Sequence, residues 1–250
     1  MRKLLAIGIG AGDPEQLTVE AVRALNGLDV VFVVDKGEEV GELAALREEI
    51  CRRYVEGELR TVLVADPKRD RGAAAYSEAV EAWRRERAAA WGEAIAAGLG
   101  EGERGAFLVW GDPALYDSTL AVLERIAAAG EPALEYESIP GISSVQSLAA
   151  RHRISLTRVG ASVLVTTGRR LAAEGLPEAA DVVVMLDAGC AFNQFTGEDL
   201  DVYWGAYLGS TDEILVAGPL AEVAAQIETV RAEARERKGW IMDTYLLRRR

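Results

Sequence analysis

Three glycine-bearing stretches hold the residue types that could receive a small cofactor: Gly8-Ile9-Gly10-Ala11-Gly12-Asp13-Pro14, Trp110-Gly111-Asp112-Pro113-Ala114-Leu115-Tyr116 and Ile139-Pro140-Gly141-Ile142-Ser143-Ser144. Glycine lets a backbone come close to an anionic or planar ligand. The first stretch alone is general-purpose. It lacks the Gly-Lys-Ser/Thr ending of a nucleoside-triphosphate loop. Gly8, Gly10 and Asp35 follow the spacing of a dinucleotide-binding fingerprint, but Asp13 stands where the third glycine belongs, and a carboxylate there repels a pyrophosphate. Two side chains could do acid–base chemistry beside such loops. Asp35 ends a strand and could take a proton, and Tyr116 could donate one. A helix-capping or Lys36-paired Asp35, and a Tyr116 packed at a domain hinge, are the structural alternatives. His152, the single histidine, lies between Arg151 and Arg153, which disfavour its protonated form; a solvated helix end is the expectation there.

These loops need elements to position them. Leu4 to Ile7 reads as a buried strand, followed by the first loop and a helix that Thr18 caps and Asn26-Gly27 ends. Val30 to Val34, Thr61 to Ala65 and Ala106 to Trp110 read as further strands, separated by helical spacing over 42–55 and by an Ala-, Glu- and Arg-rich stretch over 73–99. That stretch forms one long helix or two broken near Gly92. Continuous rather than alternating apolar strands between helices predict a mostly parallel sheet covered on both faces. After Ser118 a helix runs to Ala129, Leu134 to Ile139 is a strand, and Pro140-Gly141 opens another helix. The strands at 162–166, 181–186, 202–208, 213–217 and 241–247 lie closer together and predict a second, mixed sheet. The fold class is therefore α/β with two α/β domains, divided near residue 115 into 1–115 and 116–250, and ligands collect outside the carboxyl ends of parallel strands.

The 250 residues, half of them hydrophobic, suffice for a substantial core. A net charge of -12 argues against a nucleic-acid partner, which needs a basic footprint. No apolar run approaches the roughly 20 residues that cross a bilayer, and the amino-terminal segment turns Gly-rich too early for a signal peptide, so the expectation is a cytoplasmic protein without a membrane partner. Cys51 and Cys190 show no disulfide or zinc spacing, no metal site is expected, and both read as inert thiols. Lys36, Lys68, Arg69, Arg71, Arg169 and Arg170 fall on expected loops and could concentrate positive charge locally, whereas Arg248-Arg249-Arg250 reads as a solvated tail.

In order and spacing, the three loops resemble those of the tetrapyrrole (precorrin/uroporphyrinogen-III) methylase family, over nearly the whole chain. Six further stretches narrow the resemblance within it: 33–38, 107–113 with 115–119, 166–170, 203–209 and 239–245. The family's first loop often carries proline where Ala11 stands, which turns a ring contact into a backbone one. The resemblance implies a homodimer of two α/β domains with a cleft between them for S-adenosylmethionine, left as S-adenosylhomocysteine. It implies cofactor contacts at Gly10, Ala11, Trp110, Gly111, Asp112, Leu115, Tyr116, Ser143, Ser144, Met185, Ala206, Gly218 and Pro219. Asp35 and Tyr116 would be catalytic, and Lys36, Arg169 and Arg170 would meet the carboxylates of a tetrapyrrole. The implied reaction is methylation of precorrin-5 at ring carbon 1 with water-dependent loss of acetate. Another corrin-ring C-methyltransferase, a nicotinamide-dependent oxidoreductase and a non-catalytic cofactor-binding regulator remain the alternatives.

Overall fold

In the computed structural model the described residues are 1–35, 41–67, 76–178 and 180–250, with backbone alone described at 35, 42, 43 and 76–80. They form two compact units, one of residues 1–10 and 14–142, the other of residues 11–13 and 143–250.

The first unit runs β1 (Arg2–Gly8), α1 (Val19–Leu25), β2 (Val30–Asp35), α2 (Gly41–Tyr54), β3 (Arg60–Ala65), α3 (Tyr76–Gly98), β4 (Arg104–Val109), α4 (Thr119–Ala129) and β5 (Leu134–Ile139). Thr18 caps α1 by accepting a hydrogen bond from Ala21 N at 3.0 Å. The strands form one sheet in the order β3-β2-β4-β1-β5, with every pairing parallel. Its continuous apolar strands are explained by a core on each face. Ile7, Leu25, Val31, Ile50 and Leu108 pack together on one; Leu4, Phe32, Trp91, Phe107 and Leu123 pack on the other. Trp91 stacks on Phe107 with ring centroids 4.3 Å apart. Each such buried side chain contributes about 1.5–3 kcal/mol. α3 passes Gly92 without a break; a Cβ there would make only ordinary contacts, with Pro132 at 3.7 Å, Ile126 at 3.8 Å and the Glu131 carbonyl at 3.9 Å.

The division falls between residues 142 and 143, not near 115. β5 pairs in register with β1 from Arg2↔Leu134 to Ile7↔Ile139, and α4 buries Val122, Leu123 and Ile126 in the first unit's core. β5 is therefore a strand of the first sheet, and α4 packs in the core of the first unit.

The second unit runs α5 (Ser144–His152), β6 (Ser162–Thr167), α6 (Gly168–Glu174), β7 (Ala180–Met185), β8 (Leu200–Ala206), β9 (Ile214–Pro219), α7 (Leu220–Lys238) and β10 (Asp243–Arg249). Its sheet has the order β6-β7-β10-β8-β9 and is mixed: β6 and β7 are parallel and the other pairs antiparallel. The expected solvated tail is instead the end of β10. Arg248 donates to Asp181 at 2.8 Å and to the Ser155 and Leu156 carbonyls, and Arg158 donates to the other Asp181 oxygen at 2.6 Å. Asp181 is fully buried, so two arginines compensate its charge. Asp181→Ala leaves Arg248 without its counter-charge and should lower unfolding stability by about 3 kcal/mol, read from chemical denaturation.

Candidate functional site

The sheet of the first unit is parallel, so the carboxyl ends of β1, β4 and β5 lie at one edge and their three exit loops start side by side. They interlock through backbone. Gly10 and Gly111 form an antiparallel bridge, with Gly111 N donating to Gly10 O at 2.8 Å and Gly10 N to Gly111 O at 3.3 Å. Both have positive φ, +83° and +69°, which favours glycine. A Cβ on Gly8 would meet Gly141 N at 2.5 Å and Gly111 O at 2.8 Å, so the absence of side chains lets the loops close on one another. Asp112 fastens the third loop: one oxygen accepts from Gly141 N at 2.9 Å and the other from Ala114 N at 2.8 Å. The carboxylate expected to face a cofactor thus holds two backbone amides.

The segment from Leu108, at the end of β4, to Ser118, before α4, is held at both ends. At one, Arg47 of α2 donates through Nε to the Leu108 carbonyl at 3.0 Å. Burial pulls its pKa down more strongly than the charge of Asp117 pushes it up. At the other, Arg87 of α3, only 5 % exposed, donates to Asp66 at 2.6 Å and to the Ser118 hydroxyl at 2.5 Å, its guanidinium between the Trp83 and Trp91 rings. Ser118 occupies the N-cap position of α4 without capping it, and Asp117 takes that task by accepting from Thr119 N at 2.6 Å. Between these anchors Tyr116 has φ +53° and is 46 % exposed, while Leu115 and Trp110 are half-buried. A tyrosine held in the left-handed region is strained by about 1–3 kcal/mol, so its surroundings impose the conformation.

Asp35 is the last residue of β2, opposite Ala65. Its side chain, and Lys36, Lys68, Arg69 and Arg71, lie outside the described residues.

In the second unit, Ser143 is buried and forms a capping box with Gln146 at the start of α5, and the Thr244 hydroxyl donates to that of Ser144 at 2.9 Å. Ala11 is buried. Met185 and Ala206 end β7 and β8 at one edge of the sheet, joined through Thr244 and Gly205 of the intervening pairings. Just beyond them Leu186, with φ +53°, and Met242 are 58 % and 40 % exposed, an apolar shelf of a kind a purine could cover. Gly218 and Pro219 are not at this edge: they pair with Val202 and Asp201, about 13 Å down β8 from Ala206 at the usual rise per residue. Arg169 and Arg170 open α6 next to the row of Met185; both are exposed, and Arg170 is paired with Glu174 at 2.9 Å. His152 is half-buried rather than solvated, its Nε2 3.0 Å from the Trp204 carbonyl and its ring edge-on to Tyr203.

A buried polar network fixes the Leu186 turn. Asp187 accepts from Gly189 N at 2.9 Å, Ala191 N at 2.7 Å and the Tyr245 hydroxyl at 2.7 Å. Arg231 donates to Asp243 at 2.9 Å and to the Asp187 carbonyl at 2.5 Å, and Trp204 Nε1 donates to Asp243 at 3.0 Å. Burial raises the pKa of Tyr245, with Asp187 adding to it. Burial likewise raises both thiols, Cys51 and Cys190, away from nucleophilic character. An open surface depression of about 740 Å³ lies beside Arg231, between Cys190 and Arg235, and none of the expected site residues lines it. Arg47, Arg87 and Arg231 were not singled out in the sequence. The signal was there: Arg47 follows the stripe that carries Ile50 and Tyr54, Arg87 sits between Trp83 and Trp91 at spacings of four, and Arg231 is four residues after Ile227. A charge on an apolar helix stripe has to be paired with something.

Among the described residues no cluster of metal-binding side chains occurs, and no helix is long and apolar enough to cross a membrane. Two α/β units, an all-parallel sheet with interlocked glycine loops and a mixed sheet with an apolar edge define a methylase architecture of the tetrapyrrole type. The model of the Tetrapyrrole (Corrin/Porphyrin) Methylases matches residues 3–224, and the chain belongs to that family and is a methyltransferase. It is 49 % identical to the precorrin-6A synthase (deacetylating) of Sinorhizobium sp over 251 aligned positions, covering 100 % of this chain and 96 % of that one. Among solved structures, a protein from Corynebacterium diphtheriae described as related to cobalamin synthesis superposes with a TM-score of 0.84 at 35 % identity, covering 99 % and 98 % of the two chains. A uroporphyrin-III C-methyltransferase of Thermus thermophilus, solved with S-adenosylhomocysteine, shares the fold at a TM-score of 0.55 and 19 % identity over 99 % and 97 % of the chains.

Proposed function

We propose that this methyltransferase acts in corrin-ring synthesis, using S-adenosylmethionine to methylate precorrin-5 at carbon 1 with hydrolytic loss of acetate. The observation that carries the reading is the full-length identity to a deacetylating precorrin-6A synthase. The residues fit the cofactor: glycine turns expose backbone at the end of β4, and Met185, Leu186 and Met242 offer an apolar surface for adenine. Contacts are assigned to the backbone of Gly10, Ala11, Trp110, Gly111 and Ala206, to Leu115, Tyr116 and Met185, and to Ser144. Ser143 and Asp112 support the loops through the bonds described above, and Gly218-Pro219 would need to reach the cofactor from farther down the sheet.

The bound cofactor supplies an electrophilic methyl group. Transfer to a ring carbon needs no protein nucleophile, so orientation is the main contribution of the chain. Interlocked loops and a strained, doubly anchored Tyr116 suit that task, because little reorganises during reaction. Acetate release differs: water attacks an acetyl carbonyl, which a base and a donor to the developing oxyanion assist. Asp35 is assigned as the base, Tyr116 as the donor, and Lys36, Arg169 and Arg170 as cations for the acceptor's carboxylates. The reading includes a cytoplasmic homodimer, testable by light scattering against the 26.9 kDa chain mass.

Incubation with precorrin-5 and methyl-labelled cofactor should give label in the ring and an equal amount of free acetate. Methylated product that retains its acetyl group would reject the deacetylating step. Calorimetry separates the other class: tight NADH binding with no response to S-adenosylhomocysteine would sink the reading. Asp35→Asn should keep methyl transfer and lose most acetate release.

A further inference from the structure

β7 stops at Met185, which pairs with Thr167 at the end of β6 and with Thr244 at the start of β10. The chain then turns sharply. Leu186 and Cys190 both lie in the left-handed region, each with φ +53°, a conformation disfavoured for any residue with a side chain, so the surroundings impose it. Asp187 is the cause at hand. One of its oxygens accepts from Gly189 N, and the other from Ala191 N and the Tyr245 hydroxyl. Leu186 is thereby left exposed while Asp187, the next residue, is buried.

The same carboxylate reaches the other neighbour of β7. Gly168, the first residue of α6, is buried, and a Cβ there would overlap the Asp187 carboxyl group and lie 2.6 Å from Asp187 Cβ. Its φ is not positive, so the close approach of Asp187, and not the backbone conformation, requires glycine. α6 therefore starts against the carboxylate, and its next residue is Arg169. An apolar side chain could fill this space but could not hold three donors in fixed directions. Resting on the proposed function, we propose that Asp187 is a positioning residue for methyl transfer: its carboxylate fixes the exposed Leu186 under the adenine of the cofactor and, through Gly168, the start of α6 that carries Arg169. It touches neither cofactor nor acceptor, and it sets the one relative to the other.

Asp187→Asn keeps the size of the side chain and leaves one oxygen to accept; Tyr245→Phe removes one donor and keeps the ring. Gly168→Ala leaves every donor in place and pushes the carboxylate aside. Residue 168 has no assigned cofactor contact, so a loss of cofactor affinity there reports the displaced carboxylate. The calorimetric Kd for S-adenosylhomocysteine, taken well below each thermal midpoint, should rise about tenfold in Asp187→Asn and Gly168→Ala and about threefold in Tyr245→Phe, the scale of one lost hydrogen bond. At saturating cofactor, kcat for methyl transfer to precorrin-5 should also fall about tenfold in the first two, because orientation changes as well as occupancy. Asp181→Ala is the comparison. It too removes a buried carboxylate of β7, about 13 Å down the strand from Met185 at the usual rise per residue. It should lower stability and leave Kd and kcat within twofold of wild type, and a merely structural Asp187 would behave in the same way. A Kd within twofold of wild type in Asp187→Asn and Gly168→Ala overturns the inference, as does an equal loss of affinity in Asp181→Ala. Where those two variants fail to fold, Tyr245→Phe decides: an unchanged Kd overturns the inference and the threefold rise supports it. Wild-type protein that binds S-adenosylhomocysteine and shows this graded loss, yet transfers no methyl group to precorrin-5, rejects the proposed reaction and keeps the inference. Wild-type protein that binds none rejects both.

Discussion

Gly8→Ala is expected to reduce kcat/KM for methyl transfer by about a hundredfold and to lower the thermal midpoint by about 2–12 °C. The new Cβ would lie 2.5 Å from Gly141 N, 2.6 Å from Gly141 Cα and 2.8 Å from Gly111 O. All three are backbone atoms, so no side chain can rotate to relieve the clash. Inserting a carbon into a filled space costs about 1–3 kcal/mol, and in a chain of this size each kcal/mol moves the midpoint by about 2–4 °C. The larger effect falls on activity. The loops after β4 and β5 must move apart, which breaks the Asp112–Gly141 hydrogen bond and shifts Leu115 and Tyr116. A misplacement of about 1 Å in positioning groups is enough for a hundredfold loss. Gly57→Ala is the control, since a Cβ there meets nothing within 4 Å and its φ is not positive. Wild-type activity in Gly8→Ala would mean the loops do not interlock as described.

The largest stability loss is expected from Arg231→Met, about 3–5 kcal/mol in chemical denaturation. Arg231 and Asp243 are paired at 2.9 Å with side chains 9 % and 5 % exposed. Removing the cation strands a buried carboxylate with Trp204 Nε1 as its remaining side-chain donor, and that uncompensated charge carries most of the cost. The double variant Arg231→Met, Asp243→Leu should recover much of the loss, because replacing a buried pair by apolar side chains of similar size is often neutral. No recovery would show that Arg231 acts mainly through the Asp187 carbonyl. The pH dependence has a definite sign. Burial already raises the Asp243 pKa, opposed first by Arg231. Without Arg231 the folded-state value rises further above the unfolded one, so the single variant should gain stability relative to wild type as pH falls through it. Because this network fixes the turn carrying Leu186, S-adenosylhomocysteine binding should weaken in the single variant and return in the double one.

Much of the architecture was legible residue by residue. The runs at 30–34 and 106–109 are apolar without alternation, and only a strand buried on both faces needs that, so a parallel sheet covered by helices followed directly. The glycines at 8, 10, 111 and 141 marked the loops that would meet a cofactor, because few other residues fit such turns. What failed to show was partnership. Arg248 looked like part of a solvated tail until β10 carried it to Asp181, and that Asp112 also fastens the loop at Gly141 could not be seen across 29 residues of sequence.

From its sequence alone the chain determined its elements, their α/β order and the chemistry-bearing loops, since these depend on local periodicity and on conformations only glycine adopts with ease. Tertiary structure alone decided that β5 and α4 belong to the first unit, that Gly218-Pro219 lies away from Met185 and Ala206, and that Arg47 of α2 meets the Leu108 carbonyl. Each depends on which strand comes to lie beside which across tens of residues. That choice is made by fitting whole apolar faces together, and no window of neighbouring residues contains it.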